Sequence, residues 1–508
     1  MKGSRLYWHG LAAVAAVALG GPASAQSFQI QCPESTTLHP GGNGIKCQQL
    51  SGGDGFATMA DGTQTYLFAF GPLSGLQDIK HGLAGTQPAP IFLQPYQADP
   101  DHPNDADFAT NGNGAVGLEP QADAPSHADP RPIMDVGVLN GNMPAPLIAI
   151  DEDDELFLTL TNVGQIMRPD LFEQHTVHFH GYPNASAYFD GVPDASAAIN
   201  IGGSFTYYYL APDAGTYIWH CHITPPEHLQ MGMVGQLYVR PRQNKVLGSL
   251  FTAVNNLEAS PNVPPATQAD YERVRKRCGG DILCAAPVPA SDIGATNNGT
   301  KRYAYNDGDG STQYDVEYPI QIHGFDPDFH FVGMTFNPEN FTDSKNKYFL
   351  LNGRSYPDTV TPGALSTQVA DGSDHFSQPL PTIVNIPVGG RALLRFGDLE
   401  TNEFQTLASL GIPMRVVGVN ARLLRDMSGN DMSYTTNSIT LGGGESIDVI
   451  LDASDSAKYP LHSTFYLYTP NLDHLSNDAE NFGGLMTEVH ICGAVNPDTK
   501  VATDCAAP

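Results

Sequence analysis

One stretch limits this chain more than any other: residues 220–233, His-Cys-His-Ile-Thr-Pro-Pro-Glu-His-Leu-Gln-Met-Gly-Met. Cys221 lies between His220 and His222, His228 follows seven residues after the cysteine, and Met233 five after that. The residues before it, Gly215-Thr-Tyr-Ile-Trp219, read as a strand running into a loop. A soft thiolate, imidazoles and a thioether form the donor set that selects copper and builds a blue-copper site. A strand that must deliver such a loop asks for a stiff sheet behind it.

A second histidine group, His175-Thr-Val-His178-Phe-His180-Gly181, lies upstream. Side chains alternate across a strand with period two, so His178 and His180 share one face and His175 takes the other. The same rule puts His220 and His222 on one face and Cys221 opposite. Two donor sets follow. His175, Cys221, His228 and Met233 converge on one side, and His178, His180, His220 and His222 on the other, with Cys221 joined by one peptide bond to a member of the second set in each direction. Met231 is an alternative axial donor, read as packing. Isolated histidines such as His39, His102, His127, His375 and His462 read as ordinary surface or core residues.

The rest of the chain fits an all-β frame. It has 508 residues, enough for two or three domains, with 52 glycines, 40 prolines and few long helical patterns, as expected for short strands joined by turns. Strands are expected at Tyr66–Phe70, Ile133–Leu139, Leu147–Ile150, Glu155–Thr161, His175–His180, Ser204–Leu210 and Gly235–Val239. A second series runs Tyr348–Leu351, Thr382–Ile386, Ala392–Phe396, Met414–Val419, Ser446–Leu451, Thr464–Tyr468 and Met486–Ile491. Residues 82–131, rich in Pro, Asp, Ala and Asn, read as an acidic loop over the surface. Residues 243–314 read as a linker with one helix at Ala269–Arg277 and turns at Asn297-Asn-Gly and Asn306-Asp-Gly-Asp-Gly.

The formal charge of −29 argues against nucleic acid and against anionic membrane surfaces as partners, and no stretch is apolar for long enough to span a membrane. Lys2 and Arg5, the apolar run Leu11–Leu19 and the small residues Ala23-Ser-Ala25 read as a secretory signal over residues 1–25, giving an exported protein, periplasmic or secreted. Of the seven cysteines, six pair by nearest neighbours as Cys32–Cys47, Cys278–Cys284 and Cys492–Cys505, which suits an oxidising compartment. That leaves Cys221 as the odd one, available to a metal.

These motifs resemble the multicopper oxidases of the cupredoxin superfamily. The resemblance covers residues 66–241, including Phe189-Asp190-Gly191-Val192-Pro193, and extends more weakly over 346–491 through Leu351-Asn-Gly-Arg-Ser-Tyr-Pro357 and Gly442-Gly-Gly-Glu-Ser-Ile-Asp448. It implies two cupredoxin-like Greek-key β-sandwich domains. An N-terminal segment (26–60) would precede the first, copper-bearing domain (61–242). The linker (243–314) would lead to a second domain (315–495) and a short tail (496–508). It implies that His175, Cys221, His228 and Met233 hold type 1 copper, that His178 holds type 2 copper, and that His180, His220 and His222 hold type 3 copper. It also implies that Asp190 helps protonate oxygen, a role weighed equally with that of a plain turn aspartate. Glu227 reads as solvated or at the substrate edge. The activity implied is oxidation of a small-molecule or metal-ion substrate, or a protein donor, with dioxygen reduced to water.

The chain departs from the family in three ways. Pro225-Pro226 lengthens the loop toward that of copper nitrite reductases. The type 1 motif sits in the first sandwich. The second sandwich has Asn402-Glu-Phe-Gln-Thr-Leu407 and Tyr466-Leu-Tyr-Thr-Pro470 where paired histidines would stand, leaving His323, His330, His474 and His490 as scattered donors, His474 foremost. Three completions stay open: a homo-oligomer, a different copper protein, or fewer coppers. A nitrite-reductase-like enzyme and a non-catalytic electron carrier are the alternative functions.

Overall fold

The computed structural model describes residues 28–97, 112–118, 128–181, 186–211, 213–259, 289–334, 340–368, 372, 374–426 and 428–505. The signal segment, the Ala269–Arg277 helix, the Cys278–Cys284 pair and part of the acidic loop fall outside them. The chain is all-β, as its turn-rich composition implied.

The first half is built from β1 (Ile45–Thr58), β2 (Gln64–Pro72), helix α1 (Pro130–Gly137), β3 (Ile148–Asp151), β4 (Glu155–Gly164), β5 (His178–Phe179), β6 (Ser204–Leu210), β7 (Gly215–His220), helix α2 (Pro225–Met231) and β8 (Val234–Arg240). One sheet runs β2-β1-β4-β6 and the other β3-β8-β7-β5. β1 lies parallel to β4, and β3 parallel to β8, so both sheets are mixed. Period-two alternation fills the space between them. Tyr66, Phe68 and Phe70 of β2 and Leu156, Leu158 and Leu160 of β4 meet Tyr217 and Trp219 of β7 and Leu237 and Val239 of β8 in one buried core.

After helix α3 (Leu250–Ala259), the second half contains β9 (Val316–Phe325), helix α4 (Pro327–Met334), β10 (Tyr348–Leu351), β11 (Val384–Pro387), β12 (Arg391–Asp398), β13 (Gln405–Leu410), β14 (Met414–Val419), β15 (Ser438–Leu441), β16 (Ser446–Asp452), β17 (Thr464–Tyr468) and β18 (Met486–Cys492). One sheet runs β10-β9-β12-β16-β14 and the facing sheet β11-β18-β17-β13-β15. A separate apolar core, with Ile320, Leu394, Phe396, Val449, Leu467 and Val489, lies between them.

The halves meet along β7. Its Thr216 Oγ1 donates to Asp448, and its Ile218 packs with Leu399. Glu317, fully buried, takes Arg240 at 2.6 Å from the first half and Arg395 at 3.0 Å from the second. The two guanidiniums outweigh burial and hold the Glu317 carboxyl well below the usual range.

Several local expectations are corrected. Ile133–Leu139 is not a strand: Asp129 caps Arg131 N and Pro130 takes the first helical position, so the segment winds into α1 with Ile133 turned inward. The Gly-rich stretch before residue 60 supplies β1, the longest strand of the first half, which pairs on both sides. The described parts of the acidic loop are anchored: Phe92, Ala115, Val116 and Leu118 pack with Phe28, Ile30, Cys32 and Cys47. The Cys32–Cys47 and Cys492–Cys505 bonds are present and Cys221 is free and buried. Among the described residues no helix is long and apolar enough to cross a membrane.

Candidate metal centre

Strand phase does the positioning. In β7, Tyr217 and Trp219 point into the first core, and Cys221 continues that face. Thr216 and Ile218 turn toward the second half, and His220 continues theirs. β5 pairs His178 with His220 and Phe179 with Trp219, so His178 joins His220. Upstream, His175 bridges to Ile199 and shares the inward phase of Val177 and Phe179.

On the inward side His175, Cys221 and His228 offer donor atoms all within 4.8 Å of one another. His228 Nδ1 lies 3.2 Å from Cys221 Sγ, and the Thr176 amide donates to the same sulfur at 3.4 Å. Burial by itself would raise the Cys221 thiol, but the His228 and His175 imidazoles outweigh it and bring the thiol well below its usual range. Burial would likewise lower His228. The Cys221 sulfur and the Glu173 carboxylate reverse this and raise it to about 10. His175 is fully buried with both ring nitrogens unpartnered, and burial lowers its pKa. A buried imidazole with neither nitrogen satisfied is costly unless a cation takes the lone pair. The donor set and this orphaned ring fit copper.

Met233 is buried beside this group. Its amide donates to the His228 carbonyl at 2.8 Å, and its carbonyl accepts from the Cys221 amide at 3.1 Å. The inserted Pro225-Pro226 begins α2, which runs from Thr224 in the left-handed region to Gly232, also left-handed. Met231 is buried in the core one residue before that turn.

On the outward side His178, His180 and His220 converge within the same 4.8 Å limit. His178 and His220 present Nδ1 to a backbone carbonyl, His178 to Asp190 at 2.7 Å and His220 to Cys221 at 2.6 Å. A carbonyl can only accept, so in these two rings Nδ1 carries the proton and Nε2 is left with a lone pair. His180 Nε2 and His220 Nε2 then face each other at 2.9 Å. The His220 lone pair at that distance takes either the proton of His180 Nε2 or a metal cation between the rings. Burial lowers the pKa of both rings, His220 to about 3, so both stay neutral and able to offer a lone pair to a metal. A carbonyl behind each ligating imidazole is the usual support of a metal-bound histidine. His222 flanks the group, its ring 4.9 Å from His178 and 5.8 Å from His220, with its amide held by Thr176 Oγ1. Asp190 also holds a carboxylate oxygen 3.6 Å from His178 Nδ1.

His175, Cys221, His228 and Met233 therefore lie on one side, and His178, His180, His220, His222 and Asp190 on the other, while the scattered histidines of the second half join neither group. Two contributors were missed. Glu173 stands 3.6 Å from His228 Nε2, on a loop whose carboxylates carry no spacing signal. Gly52 of β1 forms the wall behind His175: a side chain there would meet His175 Cδ2 at 2.8 Å and Met233 Cε at 3.5 Å. The second half brings a glycine turn, not a histidine. Gly444 has a φ of +103°, and a Cβ there would sit 3.2 Å from His180 Nδ1. His474, the foremost donor expected from that half, instead stacks on Phe349 at 3.9 Å and pairs with Glu403 at 3.2 Å. His490 is paired with Glu488, and His323 faces the Leu399 carbonyl.

The sequence pattern of the multicopper oxidase family matches residues 125–244. A multicopper oxidase of Talaromyces pinophilus, MCE, is 33% identical over 124 residues, 24% of this chain and 19% of that protein. The multicopper oxidase MmcO of Mycobacterium tuberculosis is 35% identical over 92 residues, 18% of this chain and 17% of that protein. The matched stretch thus spans about a fifth of each relative's length. Among solved structures, the blue copper oxidase of Nitrosomonas europaea aligns over 87% of this chain and 85% of its own, with 17% identity and a TM-score of 0.47.

Proposed function

With a multicopper-oxidase domain at residues 125–244 as the premise, we propose that the protein is a copper-dependent oxidoreductase. It takes single electrons from a reducing substrate at one donor set and delivers them to the other, where dioxygen is reduced to water. The reading is carried by one observation: His220 ends β7 and Cys221 follows it on the opposite face, so consecutive residues belong to two different donor sets. Copper held by these residues would supply one-electron chemistry at the thiolate set and oxygen reduction at the imidazole set.

His175, Cys221, His228 and Met233 hold the first metal, and the Thr176 amide steadies the sulfur. The low thiol pKa keeps Cys221 ready as a thiolate. Glu173, partly exposed beside buried His228, lies on the substrate side and favours cationic or hydrogen-bonding donors such as a phenol or a metal ion. His178, His180, His220 and His222 hold the second site. Asp190 fixes the His178 ring through its carbonyl, and its carboxylate, 3.6 Å from the same nitrogen, is the group this reading assigns to protonating oxygen.

The two-domain division read from the sequence, 61–242 and 315–495, stands as part of this proposal with β1 (Ile45–Thr58) added to the first, as does export of the mature chain. The second half lends no paired histidines, and a second copy of the chain, a different copper protein, or a smaller number of coppers are the three completions this proposal carries to its test. A nitrite-reductase-like reading draws on the convergence of three imidazoles with His222 standing aside.

Copper loading of the full chain with visible absorption, EPR and oxygen uptake tests this. A blue copper, several further coppers per chain and dioxygen consumption are expected. A blue copper with a single ordinary one and nitrite consumption favours the second reading, and a lone blue copper with no turnover sinks both. Cys221→Ser is expected to abolish the blue band; a surviving band overturns the ligand assignment.

A further inference from the structure

The second half contains a buried histidine that no part of the proposed reaction uses. His330, on α4, is fully buried and crosses to the first half. Its Nδ1 lies 2.6 Å from the Tyr66 carbonyl and its Nε2 2.9 Å from the Gln230 carbonyl. Its ring is stacked on Phe325 at 3.6 Å, so it has little freedom to turn. Both acceptors are carbonyls, so whichever nitrogen carries the proton, the ring donates to one of the two. Burial and the nearby His323 push the ring's pKa down to about 3, leaving it neutral.

The two carbonyls are not arbitrary. Gln230 lies in the last turn of α2, the helix that carries His228 and leads to Met233. The last carbonyls of a helix have no partner within it. Those of His228 and Leu229 are taken by the amides of Met233 and Gly232, and that of Gln230 by His330. Tyr66 lies two residues before Phe68, whose ring meets His228 edge-on at 5.1 Å. The second half grips Gln230 again through its side chain, where Thr401 Oγ1 donates to Gln230 Oε1 at 3.3 Å.

We propose that His330, with its proton on Nε2, is a positioning residue for the first metal site, a strut from the second half that caps α2 at Gln230 and so fixes His228 and Met233 relative to Cys221. On this account the second half, which lacks paired histidines, still shapes the metal site in the first. The proposal rests on the reading that His175, Cys221, His228 and Met233 hold copper.

The test uses the full chain with His330→Phe, which keeps a ring and deletes the N–H donor. His330→Gln retains a donor able to reach Gln230. Phe329→Leu, which disturbs packing of the same helix without touching either carbonyl, serves as the control. In copper-free protein, amide exchange at Gly232–Val234 is expected to quicken in His330→Phe and to stay near native in His330→Gln and Phe329→Leu. In copper-loaded protein, His330→Phe is expected to lose copper to a chelator about ten- to a hundred-fold faster, the usual scale for an outer-shell support. Its blue band and reduction potential should shift, and His330→Gln should return them toward native. Should His330→Phe not fold, His330→Asn, too short for Gln230, carries the same expectation. Native exchange and native copper retention in a folded His330→Phe overturn the proposal, as do equal shifts in Phe329→Leu. Quickened exchange in a chain whose native form binds no blue copper would sink the metal reading and leave the strut standing.

Discussion

At the scale of the residue, the first donor set depends on a side chain that is missing as much as on those present. Gly52 leaves the space that His175 and Met233 occupy. Gly52→Ala would put a methyl group against the His175 ring, and the ring must move because backbone lies behind the new atom. Weaker copper binding and a shifted blue band are expected by equilibrium dialysis and visible absorption, with the fold kept by far-UV circular dichroism. A native spectrum would show that the His175 ring has another resting place. Glu173 matters in a different way: it touches His228 from the solvent side, so it can be read by a donor without altering the metal's own contacts. Glu173→Gln is expected to raise KM for a cationic donor more than for a neutral phenol, in steady-state assays of the loaded protein.

At the scale of the element, β5 and β7 carry the site between them. β5 has only two paired residues, so its hold on β7 comes from packing more than from its ladder. Trp219 provides that packing: it is fully buried, with Phe70 at 4.9 Å and Phe179 at 5.9 Å. Trp219→Ala should cost about 3–5 kcal/mol, the usual range for an emptied aromatic site, read as a shift in the urea midpoint. Because Phe179 stands between His178 and His180, the same change should also weaken the outward imidazole group. Loss of stability with that group's metal binding intact would separate β5 from this role.

At the scale of the molecule, buried carboxyls make the fold sensitive to pH. Glu152 accepts from the amides of Ala214 and Arg242 and from Asn306, joining the first half to the segment that follows it. Burial raises it from an ordinary 4.5 to about 7, and burial raises Asp154 from 3.8 to about 6. A carboxyl whose folded pKa is raised binds its proton more tightly when folded. Its contribution is therefore full below the unfolded value and is lost as pH rises through the folded one. For Glu152 that loss is at most about 3 kcal/mol between pH 4.5 and 7. In thermal unfolding of the copper-free chain, the native protein should lose Tm relative to Glu152→Gln as pH rises from 5 to 8. An unchanged slope in that variant would place the sensitivity elsewhere.

The donor residues and their division into two faces were legible in the sequence, because strand alternation is a local rule and His220, Cys221 and His222 are consecutive. The all-β frame was legible too, from turn residues and period-two strands. α1 was not: its strand-like apolar pattern concealed the Asp129-Pro130 cap, and a cap outweighs pattern in so short a segment. β1 was hidden by its glycines, which are needed where Gly52 meets His175 and Gly55 packs against Gly141. What only the tertiary structure decided is the company the site keeps. Glu173, Gly52, Gly444 and His330 reach it from four separate parts of the chain, and no spacing rule connects residues that meet only when the sheets close. The chain alone determined which atoms can bind a metal; packing of one half on the other determined how firmly those atoms are held, because the partners that fix them are backbone carbonyls and distant side chains that carry no motif.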